Sequence, residues 1–325
     1  MLVLSETQVQ SLIDIDELTA ALEQAHVQYS TGKAVMPVRL VVPLPQVQGR
    51  ITSMPGFLSD DKALAMKVVT YFQENTKQNL PAILGTILLF SSETGKLIAV
   101  MDGSYITGIR TACASAMATK VLANTDTPVL GILGAGVQAR THIQALSRVR
   151  KINRVRIYSP SGTSAAAIKR DLEPASGVTI EVAPSPEQAL RDADIVVTAT
   201  TAKTPVVKFA SLKPGAHVNA VGSHRPDARE LDGATMARAK VIVDSREAIM
   251  AECGDVLLAI EEKSIAKDHI HAEIGEILAG AKSGRAGADE ITVYKSVGIA
   301  IQDVAAANLV YRKALERGVG TTVEM

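Results

Sequence analysis

The stretch Val129-Leu-Gly-Ile-Leu-Gly-Ala-Gly-Val-Gln-Ala139 constrains this chain more than any other. An aliphatic strand runs into Gly134-x-Gly136-x-x-Ala139, and Arg140 to Arg148 then reads as a helix. A strand that enters a glycine-rich turn and opens a helix is the fingerprint of a dinucleotide site. Gly134 permits the tight turn, Gly136 lets backbone approach a pyrophosphate, and Ala139 allows close helix-to-strand packing. The helix N-terminus adds N–H groups and a partial positive charge. A turn in an ordinary α/β protein is the competing reading. The flanking pattern argues against it: Val129–Leu133, Arg154–Tyr158, Ile195–Ala199, Val218–Val221 and Val241–Val243 are aliphatic and alternate with helical stretches. That alternation predicts an α/β fold with a Rossmann-type doubly wound parallel sheet.

The first third of the chain reads differently. Asp16 to Ser30 has apolar residues at helical spacing and ends at Gly32, while Val38–Val42, Leu64–Phe72, Gly85–Phe90 and Leu97–Met101 are strand-like and joined by short turns. This predicts a smaller, mostly antiparallel α+β domain. A length of 325 residues is about twice the usual ~150 per domain. Thr107 to Ala123 reads as a helix containing the boundary, and Ser296 to Glu316 as a long Ala-rich helix that packs back onto the N-terminal part. The expected domains are therefore 1–118 with 299–325, and 119–298.

Lys plus Arg and Asp plus Glu are both 34, so the net charge is zero. That argues against a nucleic-acid or anionic-membrane surface. Six Tyr, four Phe and no Trp leave the cores to aliphatic residues and make base-stacking platforms improbable. Two cysteines, Cys113 and Cys253, suit a reducing cytoplasm. No stretch reaches the ~18 apolar residues of a membrane span. His269-Ile-His271 has no evident third ligand, so no metal is expected.

Several residues look placed for chemistry. The strand Arg154–Tyr158 ends in Ser159-Pro160-Ser161-Gly162, where an NAD site would carry Asp or Glu. The two hydroxyls and the missing carboxylate favour NADPH, with NADH possible. Lys67 lies among apolar neighbours on both sides in Leu64–Phe72, Arg39 has the same character in Pro37–Val42, and Arg110 comes one turn into the Thr107 helix. Taken singly, each reads as a solvated or structural ion pair. Jointly, three buried cations suggest a carboxylate-bearing substrate. His224 sits just past a strand's carboxyl end, where ligands bind in doubly wound sheets.

The chain resembles the ornithine cyclodeaminase/μ-crystallin family. The matching pieces are Arg39 after Met36-Pro37, Lys67-Val-Val-Thr70, Met101-Asp-Gly103, Arg110-Thr111, Ile132 to Gln138, Pro214 to Gly222, Arg225-Pro-Asp with Glu230-Leu-Asp232, Gly254-Asp-Val256, Glu273 to Glu276 and Lys295-Ser-Val-Gly298. The similarity is greatest to the μ-crystallin-like ketimine reductase branch. It implies a homodimer with NAD(P)H-dependent chemistry on cyclic ketimines of 2-oxo acids or on amino acids. The N-terminal domain would bind substrate and dimerise; the central one would bind the cofactor. It also implies Arg39, Met54, Lys67 and Arg110 toward the substrate. Toward the cofactor it implies Arg110, Thr111, Gly134, Ala135, Gly136, Val137, Gln138, Ser159, Ser161, Thr198, Thr200, Val221, Gly222 and Val297. Apart from the resemblance, the catalytic proton is expected from Lys67, or from His224 through water, since an imidazole's ordinary pKa is about 6.5. His224 stands where the cyclodeaminases and related alanine dehydrogenases carry a catalytic Asp, which argues against ornithine cyclisation. A second departure is Ala82 after Pro81, where relatives often have Ser or Thr. An L-amino-acid dehydrogenase, a cyclodeaminase and a non-catalytic NADPH-binding protein are the alternatives to a ketimine reductase.

Overall fold

The computed structural model describes residues 1–78 and 80–324. In chain order the first elements are β1 (Leu2–Leu4), α1 (Glu6–Leu12), α2 (Ile15–Ser30), β2 (Ala34–Val35), β3 (Leu40–Leu44), β4 (Gly49–Leu58), β5 (Ala63–Phe72), β6 (Ile83–Ser91), β7 (Leu97–Asp102) and α3 (Ser104–Leu122). Next come β8 (Val129–Leu133), α4 (Val137–Val149), β9 (Arg154–Tyr158), α5 (Thr163–Ser176), β10 (Thr179–Val182), α6 (Pro186–Leu190), β11 (Ile195–Thr198), β12 (His217–Ala220), α7 (Gly233–Arg238) and β13 (Lys240–Val243). The last are α8 (Arg246–Glu252), α9 (Gly254–Glu261), β14 (Ala272–Glu273), α10 (Ile274–Leu278), β15 (Thr292–Lys295), α11 (Ala300–Arg317) and β16 (Thr321–Thr322). The chain divides into two compact units: residues 1–110 with 299–325, and residues 111–298.

In the first unit the sheet runs β16-β1-β7-β6-β5-β4-β2, with β3 also paired to β4. Strands β4 to β7 pair antiparallel in sequence order. Period-2 alternation puts Thr52, Met54 and Leu58 of β4 and Ala63, Ala65 and Lys67 of β5 on one buried face. Helix α11 packs on that face and against α2. Its Ile301, Val304 and Val310 are fully covered, each worth about 1.5–3 kcal/mol of apolar burial. Strand β4 is not apparent in the sequence, because Pro55 and Gly56 interrupt its pattern. Gly56 is required by packing: a Cβ there would lie 3.1 Å from Val304 Cγ2 and 3.2 Å from Ala300 Cβ. The final helix begins at Ala300 rather than Ser296. Gly298 has φ of +77°, and the Asp244 carboxylate takes the Ser296 hydroxyl and the N–H groups of Val297 and Gly298.

In the second unit the sheet order is β10-β9-β8-β11-β12-β15-β13-β14, and every pairing is parallel. Through β15 this is the Rossmann order, with the reversal between β8 and β11. Strands β11, β12 and β15 are buried on both faces, as expected for strands covered by helices on either side. No helix among the described residues is long and apolar enough to cross a membrane.

Candidate active site

In the first unit, Lys67 projects onto the apolar face of the sheet because Ala63 and Ala65 set the phase of β5. It pairs with Met54 on one side and Ile87 on the other. A lone ammonium there would cost several kcal/mol. Its partner is Asp303, in the first turn of α11, with Nζ to Oδ2 at 2.7 Å and both side chains at most 2% exposed. The other oxygen, Oδ1, accepts Arg110 Nε at 3.1 Å. Arg110 Nη1 donates to Gln302 Oε1 at 2.7 Å, and Gln302 Nε2 lies 3.1 Å from His26 Nε2. Burial holds the His26 pKa down at about 3, with the Arg110 charge adding to it. The imidazole is therefore neutral and can accept the amide proton, which leaves Gln302 Oε1 facing the guanidinium.

Burial also lowers the Lys67 pKa to about 7; Asp303 opposes this, while Arg110 and Arg39 assist it. Arg39 is half-buried, and its charge acts on Lys67. Lys67 and Arg110 thus meet on a carboxylate that sequence patterning does not mark out. Asp303 and Gln302 fall in an Ala-rich stretch that reads as plain packing helix. The signal that would have exposed them is a demand for a counter-ion to Lys67, since Asp303 is the one acid of the run Ala300–Val310. The expectation of three comparably buried cations also needs correction, because Arg39 is only half covered.

In the second unit, β8 enters the glycine turn as the sequence predicts. Gly134 has φ of +104°, and a Cβ there would sit 2.3 Å from the Ala199 carbonyl oxygen. Nothing lies within 4 Å of a Cβ built on Gly136, which is the N-cap of α4 and receives no side-chain cap. Ala139 is fully buried against the sheet. The open space over Gly136, the uncapped helix start and Val137 at 66% exposure fit a pyrophosphate, with Ala135, Gly136, Val137 and Gln138 supplying the backbone around it. Beyond β9, Ser159 Oγ is buried with no hydrogen-bond partner. Ser161 is exposed at the start of α5. Thr111 is nearly covered in α3.

The loops after β11 and β12 carry the remaining expected cofactor residues. Thr198 and Thr200 give their hydroxyl protons to Glu230 at 2.7 and 2.8 Å, so those protons are not available to a dinucleotide. Val221 and Gly222 donate N–H groups to the Thr198 carbonyl at 3.0 and 3.1 Å. Val297 is held by Asp244 at 2.9 Å. His224 is exposed, its Nδ1 3.3 Å from the Gly222 carbonyl. His269 and His271 bind the Met236 and Ser283 carbonyls, and among the described residues no three acidic, His or Cys side chains gather as metal ligands.

A sequence profile described as the ornithine cyclodeaminase/mu-crystallin family matches residues 1–318. The chain belongs to the ornithine cyclodeaminase/mu-crystallin family. Among its relatives is a Delta(1)-pyrroline-2-carboxylate reductase of Bacillus cereus, 38% identical over 325 residues and covering all of both chains. The ketimine reductase mu-crystallin of Mus musculus is 39% identical over 297 residues, 90% of this chain and 91% of that one. The solved structure of Thermococcus litoralis Delta(1)-pyrroline-2-carboxylate reductase in complex with NADH and L-proline superposes with a TM-score of 0.96 at 43% identity. It spans 99% of this chain and 100% of that one. The family match covers both the Lys67 cluster and the glycine turn, so neither is an isolated motif.

Proposed function

We propose that the chain reduces the C=N bond of small cyclic ketimine carboxylates, 1-pyrroline-2-carboxylate or 1-piperideine-2-carboxylate, to L-proline or L-pipecolate with NAD(P)H. The observation that carries this reading is the buried cluster of Lys67 and Arg110 on Asp303 in the first unit, with the charge of the half-buried Arg39 acting on Lys67. It combines cations for a carboxylate with one proton donor whose pKa is about 7. The pyrroline-2-carboxylate and ketimine reductases among the chain's relatives support it.

When bound, NAD(P)H would supply the hydride for the imine carbon; the ring nitrogen takes one proton, so the C=N bond becomes CH–NH. Arg39 and Arg110 hold the substrate carboxylate, with Met54 as apolar wall beside Lys67. Fixing that orientation is worth several kcal/mol of barrier. Lys67 Nζ protonates the ring nitrogen, because an acid with a pKa near the working pH both carries its proton and releases it readily. Asp303 offsets the guanidinium charges, which would otherwise oppose a protonated imine. His224 is exposed to solvent and has the secondary role of trading protons through water.

NADPH is preferred over NADH, because the loop after β9 exposes Ser161, next to the buried Ser159, and carries no carboxylate. The chain acts as a homodimer in the cytoplasm. An apolar row on β3 and its neighbours supports the dimer, and two buried cysteines outside any disulfide agree with the compartment. The deciding assay gives purified protein each cofactor with a panel of substrates. Cofactor oxidation on adding either ketimine is the expected result. Ammonia release from alanine, ornithine or lysine without ketimine reduction would overturn it.

A further inference from the structure

The second unit contains a buried charge network that ketimine reduction, as proposed, does not use. Glu230, Asp255 and Lys295 are all fully buried. Glu230 lies on the return of the His224 loop, yet its carboxylate reaches two other segments. Oε1 accepts Thr200 N at 2.7 Å and Thr200 Oγ1 at 2.8 Å, while Oε2 accepts Thr198 Oγ1 at 2.7 Å, Gly222 N at 2.8 Å and Ser223 N at 3.3 Å. Every one of these partners can donate, so the ionised form fits the site. Burial pushes the Glu230 pKa up, and Lys295 and the hydrogen bonds from Thr198 and Thr200 oppose that shift.

The residue is itself fixed from behind. Asp255 Oδ1 takes the N–H groups of Glu230 and Leu231 at 2.7 and 2.8 Å. Lys295 bridges Asp255 Oδ2 at 3.0 Å and the Ser223 carbonyl at 2.7 Å. The arrangement leaves no slack: a Cβ on Gly222 would fall 2.4 Å from Glu230 Oε1 and 2.5 Å from Thr200 N.

The two clamped loops lie beyond the carboxyl ends of β11 and β12, in the second half of the doubly wound sheet. The glycine turn and the β9 loop of the first half take the pyrophosphate and the adenine ribose, so the second half is left with the nicotinamide end. We propose that Glu230 is a positioning residue for the nicotinamide half of the cofactor, acting by locking the Thr198–Thr200 and Val221–Ser223 loops together. The adenine half is held without it. This rests on the reading of the second unit as a dinucleotide domain.

The test compares NADH with ADP-ribose, which lacks the nicotinamide, binding to the full-length protein without substrate. Glu230→Gln puts an amide N–H against N–H donors, and Glu230→Asp keeps the charge but shortens the reach. Each variant is expected to weaken NADH about tenfold or more, the scale of losing hydrogen bonds to a charged group, and to leave ADP-ribose affinity within about twofold of wild type. Amide exchange at residues 198–201 and 222–224 should rise in parallel. Equal weakening of both ligands would make Glu230 a general structural residue and overturn the proposal. Unchanged NADH affinity would overturn it as well. If Glu230→Gln fails to fold, Glu230→Asp gives the same reading. A wild-type chain that binds neither ligand, and NADPH no better, overturns the dinucleotide reading itself, a failure distinct from the first two.

Discussion

Lys67 shows how burial changes the acidity of an ordinary side chain. In water its ammonium would hold its proton far above neutral pH, but covered by the sheet and α11 its pKa falls to about 7. Asp303 is the group that stops it falling further. If Lys67 is the acid, kcat/KM declines as pH rises through about 7, because the proton to be donated is lost. Lys67→Met should lower kcat by about 10²–10⁴, and a variant within a few-fold of wild type removes Lys67 from the chemistry. Asp303→Asn gives a sharper outcome. Removing the charge that raises the Lys67 pKa should move the alkaline limb to lower pH, whereas simple damage to the fold would lower the whole profile without shifting it.

At the scale of elements, the glycine turn between β8 and α4 is set by two packing demands rather than by flexibility. Gly134 combines a φ of +104° with an approach that leaves a Cβ 2.3 Å from the Ala199 carbonyl. Gly134→Ala must therefore move β11 or unwind the start of α4, at a cost of about 1–3 kcal/mol. The expected result is a lower melting temperature together with loss of ADP-ribose binding, both measurable on the purified protein. Gly136→Ala meets no protein atom, so it should keep the melting temperature and lose affinity alone. Equal melting losses in the two variants would show that the distinction is wrong. The turn was legible because its geometry requires these residues locally, whereas β4 was hidden because Pro55 and Gly56 break its pattern, and Gly56 answers to a helix from the far end of the chain.

At the scale of the whole molecule, one surface and one titration stand out. Leu40, Val41 and Val42 on β3 are 64%, 45% and 43% exposed, with Ile51 and Leu84 beside them at 37% and 44%. Register places Val42, Ile51, Thr70 and Leu84 in one row. Such an apolar edge on a folded chain calls for a covering partner, and a second copy is the proposed one. Val42→Lys with Leu84→Lys should convert the protein to monomers by sedimentation; a wild type that is already monomeric would defeat this reading. The titration concerns His26, His142 and His217, whose pKa values burial lowers to about 3, 4 and 3. Between these values and about 6.5 the unfolded chain binds protons that the folded chain refuses. Their stabilising effect is complete above about 6.5 and is lost as pH falls, each group changing stability by about 1.4 kcal/mol per pH unit. Denaturant unfolding measured from pH 7 to 4 should steepen accordingly, and His142→Gln should flatten the curve.

The sequence by itself determined the parallel sheet, the glycine turn and the identity of the cations, because each depends on local periodicity, on a turn that only glycine allows, or on a charge among apolar neighbours. It did not reveal what meets those cations. Asp303 lies more than two hundred residues beyond Lys67 in a run that reads as apolar helix, and Glu230 looks like an ordinary acid in a polar loop. Only the tertiary structure brings each to its partners. Burial then turns the lysine into an acid for neutral pH and the glutamate into a clamp, since the strength of an electrostatic pairing depends on the water excluded around it.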